Sequence, residues 1–214
     1  MKFFAQTLCG IAVLVFGFML GVRYQARVES LSEIQTLARV QKGKIKDLRE
    51  ENLALKTGVL VRDFLDSNHI RLPRPTVDDI AGSVARASSK YNLPPEMILA
   101  VIRIESAFDI NAQSDKGAVG LMQLLPSTAQ EIAQELRMEW RGDAILRDPS
   151  ANIEMGAYYL TKMIGQFNNL SVALAAYNHG PGRIAELSEA KAELPMGYSE
   201  KVLSHYTPLD GYTP

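Results

Sequence analysis

At 214 residues, with 47% hydrophobic and 22% charged side chains, the chain is long enough for one globular domain plus added segments, and its composition is ordinary for a folded protein. The net charge of −1 hides a split: residues 1–75 hold 12 Lys+Arg and 7 Asp+Glu, residues 76–214 hold 11 and 17. An acidic globular part without clustered basic residues argues against nucleic acid as a partner, and a single cysteine, Cys9, excludes an intramolecular disulfide and paired-cysteine metal motifs.

Residues 3–22 are free of charge for 20 positions. At about 1.5 Å per helical residue such a run matches the ~30 Å hydrocarbon core of a bilayer, so residues 1–23 read as a transmembrane anchor. The competing reading, a cleaved signal peptide, lacks a small-x-small site near Leu20-Gly21-Val22-Arg23. Lys2 on one side and Arg23 and Arg27 on the other leave the positive-inside rule without a preference.

A seven-residue repeat follows within a helical stalk at 24–66. With Leu31 at position a, the a series runs Leu31, Ala38, Ile45, Asn52, Val59 and the d series Ile34, Gln41, Leu48, Leu55, Arg62. A lone Asn52 at a favours a two-stranded parallel register, so a parallel homodimer through residues 31–59 is expected, against the alternative of a solvated single helix acting as a spacer. If helical, residues 24–64 would reach roughly 60 Å. Residues 67–75, with Pro73 and Pro75, read as a linker.

Residues 76–214 read as an all-α domain, with no strand alternation of any length. Helix starts are expected at Thr76, Pro94-Pro95, Pro126, Asp148-Pro149 and Pro181, because proline suits the first helical turn. The helix at 95–105 is apolar nearly all round and belongs inside a core. Glu105 ends it, where desolvation and the negative end of the helix dipole both push a carboxyl pKa up. A carboxylic acid kept protonated near neutral pH can protonate a glycosidic oxygen; a surface glutamate at a frayed helix end is the alternative.

Four blocks then occur in order: Ile104-Glu105-Ser106-Ala107-Phe108, Gly117-Ala118-Val119-Gly120-Leu121-Met122-Gln123, Asn152-Ile153-Glu154-Met155-Gly156-Ala157-Tyr158-Tyr159-Leu160, and Ala175-Ala176-Tyr177-Asn178-His179-Gly180. Together they resemble the lysozyme-like domain of lytic transglycosylases of the soluble type, glycoside hydrolase family 23, in a membrane-anchored form. The resemblance covers about residues 76–206. It implies cleavage of the β-1,4 bond between MurNAc and GlcNAc in peptidoglycan glycan strands. One glutamate, Glu105, would act first as acid and then as base on the sugar's own 6-hydroxyl, leaving a 1,6-anhydro-muramyl end. Goose-type muramidase and a non-cutting glycan-binding scaffold are the alternatives.

A two-carboxylate glycosidase would need a second acid, and Asp109, Asp115, Asp143, Asp148 and Glu154 all miss the motif positions. The resemblance assigns substrate binding to Ser114, Met122, Gln123, Tyr159, Tyr177 and Asn178. Ser114 would hold substrate near the acid or cap its own loop. Gln123 would face the sugar, with Met122 lending a backbone or thioether contact. The Tyr177 hydroxyl needs a partner, which the resemblance makes the glutamate or the sugar. Tyr159 stacks on a sugar or packs in the core. His179 reads as a loop variant and not a base. Where relatives carry Glu-Thr-x-x-Tyr-Val, this chain reads Leu194-Pro195-Met196-Gly197-Tyr198-Ser199; Tyr198 and Val202-Leu203 survive, but the acidic and hydroxyl residues do not. His69, His179 and His205 lack ligand spacing, so no metal or cofactor is expected. Peptidoglycan lies beyond the cytoplasmic membrane, so a single-pass protein with residues 24–214 outside is expected.

Overall fold

The computed structural model describes residues 2–67 and 69–206, with side chains from residue 17 onward except at positions 26 and 29. The chain divides into two compact units, Met1–Arg49 and Glu50–Pro214. In the first, helix α1 (Lys2–Ser67) begins, and its apolar side chains Leu31, Ile34, Ile45 and Leu48 are exposed. Among the described residues no helix is long and apolar enough to cross a membrane. Most of the charge-free run at 3–22, Cys9 included, lies outside the residues whose side chains are described.

Among its described residues the second unit has only helices as regular elements, joined by loops of which 107–125 is one. It holds the last turns of α1, then α2 (Arg74–Tyr91), α3 (Pro95–Ser106), α4 (Pro126–Leu136), α5 (Pro149–Phe167), α6 (Leu170–His179), α7 (Pro181–Glu189) and α8 (Gly197–His205). A proline stands in the first turn of α2, α3, α4, α5 and α7, where its fixed φ suits the helix and its missing N–H leaves no broken bond. Asp148 adds a side-chain cap, accepting from the Ala151 N–H at 2.8 Å. The start of α2 falls at Arg74, two residues before the expected Thr76, because Pro75 fits inside the first turn.

Helix α5 packs against α2, α4 and α6; α6 in turn packs on α7 and α8, and α3 lies against α2 and α8. The buried cluster draws Ile98, Val101 and Ile102 from α3, Ile153 and Leu160 from α5, and residues 173–177 from α6. The nearly all-apolar α3 is thus a core helix, and its carboxyl end carries Glu105 toward the surface.

The compact unit also begins earlier than the sequence suggests, at Glu50 and not at residue 76. Thr57, Val61 and Leu65 of α1 are buried, as are Val77 and Ile80 of α2, while Leu55 and Val59 on α1 remain exposed. Burying side chains such as Val61 and Leu65 contributes ~1.5–3 kcal/mol each, which draws the end of the expected stalk into the core. The span expected as a linker contributes too: Ile70 and Leu72 pack against the same core.

Candidate active site

Glu105 and Ser106 close α3, and Ala107 caps it in the left-handed conformation. The Ser106 hydroxyl reaches the Leu121 carbonyl at 2.9 Å, tying the acid's helix to the loop at 117–124. A buried side chain from another helix makes three further bonds around it. Asn152 accepts from the Met122 N–H at 2.8 Å and donates to the carbonyls of Val119 (3.0 Å) and Leu146 (2.9 Å). Gly120 at φ 82° makes the arrangement feasible, since a Cβ there would collide with the Leu146 carbonyl and the Asn152 amide.

A cavity of about 440 Å³ is lined by Glu105, Ser114, Gln123, Tyr159, Tyr177 and Asn178, together with Lys116, His179 and Arg183. A second, of about 450 Å³, is lined by Glu105, Asn178, His179, Pro195, Tyr198 and Lys201. Glu105 borders both. Burial pushes its carboxyl from the ordinary 4.5 up to about 7, and a hydrogen bond from the Tyr198 hydroxyl at 2.5 Å pulls it partly back. A side chain that is half neutral near pH 7 can give a proton and take one.

The structure brings together five of the six expected substrate contacts and excludes one. Ser114 does both things open to it: its hydroxyl oxygen accepts from the Ala118 N–H at 3.0 Å, and the residue lines the cavity. Gln123 uses its amide to donate to the carbonyls of Gly120 (3.0 Å) and Ala112 (3.2 Å). Tyr159 is half-buried, its ring 5.3 Å from that of Tyr177, so it serves the core and the cavity wall together. Met122 is the correction. It is fully buried, its thioether packed over Gly156, where a Cβ would strike the sulfur. Its carbonyl is also engaged, accepting from the Tyr177 hydroxyl at 2.8 Å. Tyr177 therefore partners a backbone carbonyl, not the glutamate. His179 is likewise not in a loop. It ends α6 and lines both cavities, its pKa lowered by burial and then by Arg183 and Lys116.

The residue that does hold the acid, Tyr198, was legible only as the surviving tyrosine of a largely lost pattern. Burial first, and the Glu105 charge next, drive its own pKa well up, so its hydroxyl stays a donor. Among the described residues no other carboxylate lines either cavity. Asp109 accepts from the Asn111 N–H at 2.9 Å, Asp148 caps α5, and Glu154 binds Lys90 at 2.5 Å and Tyr91 at 2.6 Å. Asp143 lines a neighbouring cavity with Gln113 and Arg147.

An all-helical core with one raised-pKa glutamate at a cleft defines a lysozyme-like class of domain. Residues 82–195 match the family model described as the Transglycosylase SLT domain, and the chain belongs to that family. It is 38% identical over 112 residues to a putative soluble lytic murein transglycosylase of Haemophilus influenzae, covering 51% of this chain and 19% of that protein. It is 43% identical over 79 residues to the endo-type membrane-bound lytic murein transglycosylase A of Klebsiella pneumoniae, covering 36% of this chain and 38% of the relative. Among solved structures, an inactive variant of the lytic transglycosylase Slt from Pseudomonas aeruginosa superposes with a TM-score of 0.53 at 34% identity, over 58% of this chain and 22% of that one. The chain thus spans about a fifth of the length of the Haemophilus relative.

Proposed function

We propose that this protein is a peptidoglycan lytic transglycosylase of the glycoside hydrolase family 23 kind, a lyase acting on a polysaccharide. One observation carries the reading: a single carboxyl group, raised to about 7, borders two cavities that, among the described residues, hold no other carboxylate. Protonated Glu105 gives its proton to the bridging oxygen as the bond from that oxygen to C1 of MurNAc breaks, leaving a sugar of oxocarbenium character. The resulting carboxylate then takes the proton of the sugar's 6-hydroxyl as O6 bonds to C1. Glu105 ends as it began, no water is consumed, and the product carries a 1,6-anhydro ring. An inverting hydrolase would need a second carboxylate to activate water across the sugar, and none of the described residues supplies one at the cleft. Tyr198 orients the acid; Ser114, Gln123, Tyr159 and Asn178 supply the walls.

Mass spectrometry of fragments released from purified sacculi tests this. Anhydro ends, lighter than hydrolysed ends by one water, are the expected result. Reducing ends would make the protein a muramidase, and no release would leave a glycan-binding scaffold.

The same proposal includes a single-pass anchor at residues 1–23 in the cytoplasmic membrane, with the catalytic unit outside, where the substrate lies. Its support is the charge-free run of 20 residues, and the membrane-bound name of the Klebsiella relative accords with it. Reporter fusions at the carboxyl end, active on one side only, test the orientation; a reporter active in the cytoplasm would refute it. Pairing of two chains through residues 31–59 is supported by exposed Leu31, Ile34, Ile45, Leu48, Leu55 and Val59.

A further inference from the structure

Two residues with left-handed backbone follow the acid's dipeptide: Ala107 at φ 49° and Phe108 at φ 67°, neither of them glycine. L side chains enter that region reluctantly, bulky ones most of all, so a turn of this kind persists only where surrounding contacts hold it. Its backbone is closed by the Ala107 N–H donating to the Arg103 carbonyl at 3.1 Å and the Asp109 N–H donating to the Ser106 carbonyl at 2.9 Å. The side-chain contacts come from another element. Phe108 is fully buried, with its ring stacked on Phe64 of α1, centroids 4.7 Å apart and planes 29° from parallel. The Arg103 guanidinium lies 4.7 Å from the centre of the same Phe64 ring. Val61 and Leu65, close to Phe64 on α1, are buried and seat this stretch of helix.

Phe64 therefore touches the residue two before Glu105 and the residue three after it. It lines neither cavity that Glu105 borders, and the whole of α1 precedes the segment matched by the family model. We propose that residues 50–67 belong to the catalytic module and that Phe64 is a positioning residue, clamping the end of α3 through Arg103 and Phe108 so that Glu105 keeps its place at the cleft. The role rests on the reading of Glu105 as the acid. Displacing a reacting group by about 1 Å can cost ~10²-fold in rate, so a clamp outside the cleft can still be felt in the chemistry.

The test uses the full chain with Phe64→Ala, Phe64→Leu and the ring-retaining Phe64→Tyr. Two quantities are read: kcat and KM for anhydro-product release, and the titration midpoint of the ¹³C-labelled Glu105 carboxyl, assigned by its absence in Glu105→Gln. The Ala and Leu variants should lose roughly 10–100-fold in kcat with KM little changed, as expected when orientation and not binding is lost. The Glu105 midpoint should fall from about 7 toward 4.5 as the turn loosens and water reaches the carboxyl. Phe64→Tyr should retain both. Should the Ala variant fail to fold, the Leu variant decides. A lower melting temperature, with kcat and midpoint as in the wild type, would make Phe64 an ordinary packing residue and overturn the proposal. If the wild type releases no anhydro product, the activity reading fails, yet the carboxyl titration still tests the clamp.

Discussion

Replacing Glu105 with Gln should make the protein more stable at pH 8 while disabling it. The amide keeps the shape of the carboxyl and an oxygen to accept from Tyr198, but it cannot ionise. In the wild type the folded chain holds its Glu105 proton up to about 7, whereas the unfolded chain loses it near 4.5. Below 4.5 both states are protonated and the pair of proteins should be equally stable. Between the two values the native state binds more protons, so wild-type stability falls as pH rises, and the deficit is complete above about 7. The interval of about 2.5 pH units (7 − 4.5), at ~1.4 kcal/mol per unit, gives ~3 kcal/mol; the cavities beside the side chain admit solvent and reduce this to ~1–3 kcal/mol. Urea unfolding of both proteins at pH 4 and pH 8 measures it, and in melting experiments the gain corresponds to roughly 3–10 °C for a domain of this size. Glycan release by the variant should fall by ~10²–10⁴ or more. A stability difference that stays flat from pH 4 to pH 8 would refute the burial argument, and near-normal release would refute the assignment of the acid.

Tyr198→Phe removes a donor that favours the charged form of Glu105. The falling alkaline limb of the pH–rate profile should move to higher pH while the plateau drops by about tenfold from lost orientation; an unmoved limb would refute the contact. Asn152→Ala strands the Met122 N–H and the Leu146 carbonyl, while the Val119 carbonyl keeps the Leu124 N–H at 3.2 Å, and should cost ~2–5 kcal/mol in urea unfolding, since each stranded group costs ~1–3 kcal/mol; a loss under ~1 kcal/mol would mean the loop holds itself. In membranes, Asn52→Cys in a Cys9→Ala background should cross-link. In solution, residues 24–214 should be monomeric or weakly paired, because association costs ~4–15 kcal/mol and the apolar a/d residues Ile45, Leu48, Leu55 and Val59 barely offset it. Absent cross-linking at 45, 48, 52 and 55 would identify a lone spacer.

The helix starts were readable because proline acts locally: its own ring sets the backbone at Pro95, Pro126, Pro149 and Pro181, whatever the tertiary context. Glu105 was readable because seven apolar residues on one helix, at 97–102 and 104, already implied burial. Met122 was misread because what decides its place is the absent side chain of Gly156, on another helix. The docked end of α1 was hidden in a different way. Leu55 and Val59 follow the seven-residue repeat and stay exposed, whereas Val61 and Leu65 fall off it and are buried. Two apolar patterns overlap on one helix, and periodicity alone does not separate them. Tyr198 escaped because its meaning depends on a hydrogen bond across 93 residues of chain.

That separation has a consequence for the order in which the molecule becomes chemically competent. Synthesis runs from the amino end, so Glu105 exists long before α8, which supplies Tyr198 and packs on α3. A nascent chain that has not reached residue 198 presents a carboxyl group without its hydroxyl partner and without the cover that α8 gives. Losing the hydroxyl raises the pKa and losing the cover lowers it; burial is the larger cause, so the balance moves the proton's departure to lower pH. The raised-pKa state is completed only by the last described helix to emerge, so, under the proposed function, unfinished and carboxyl-truncated chains would lack the acid that function requires.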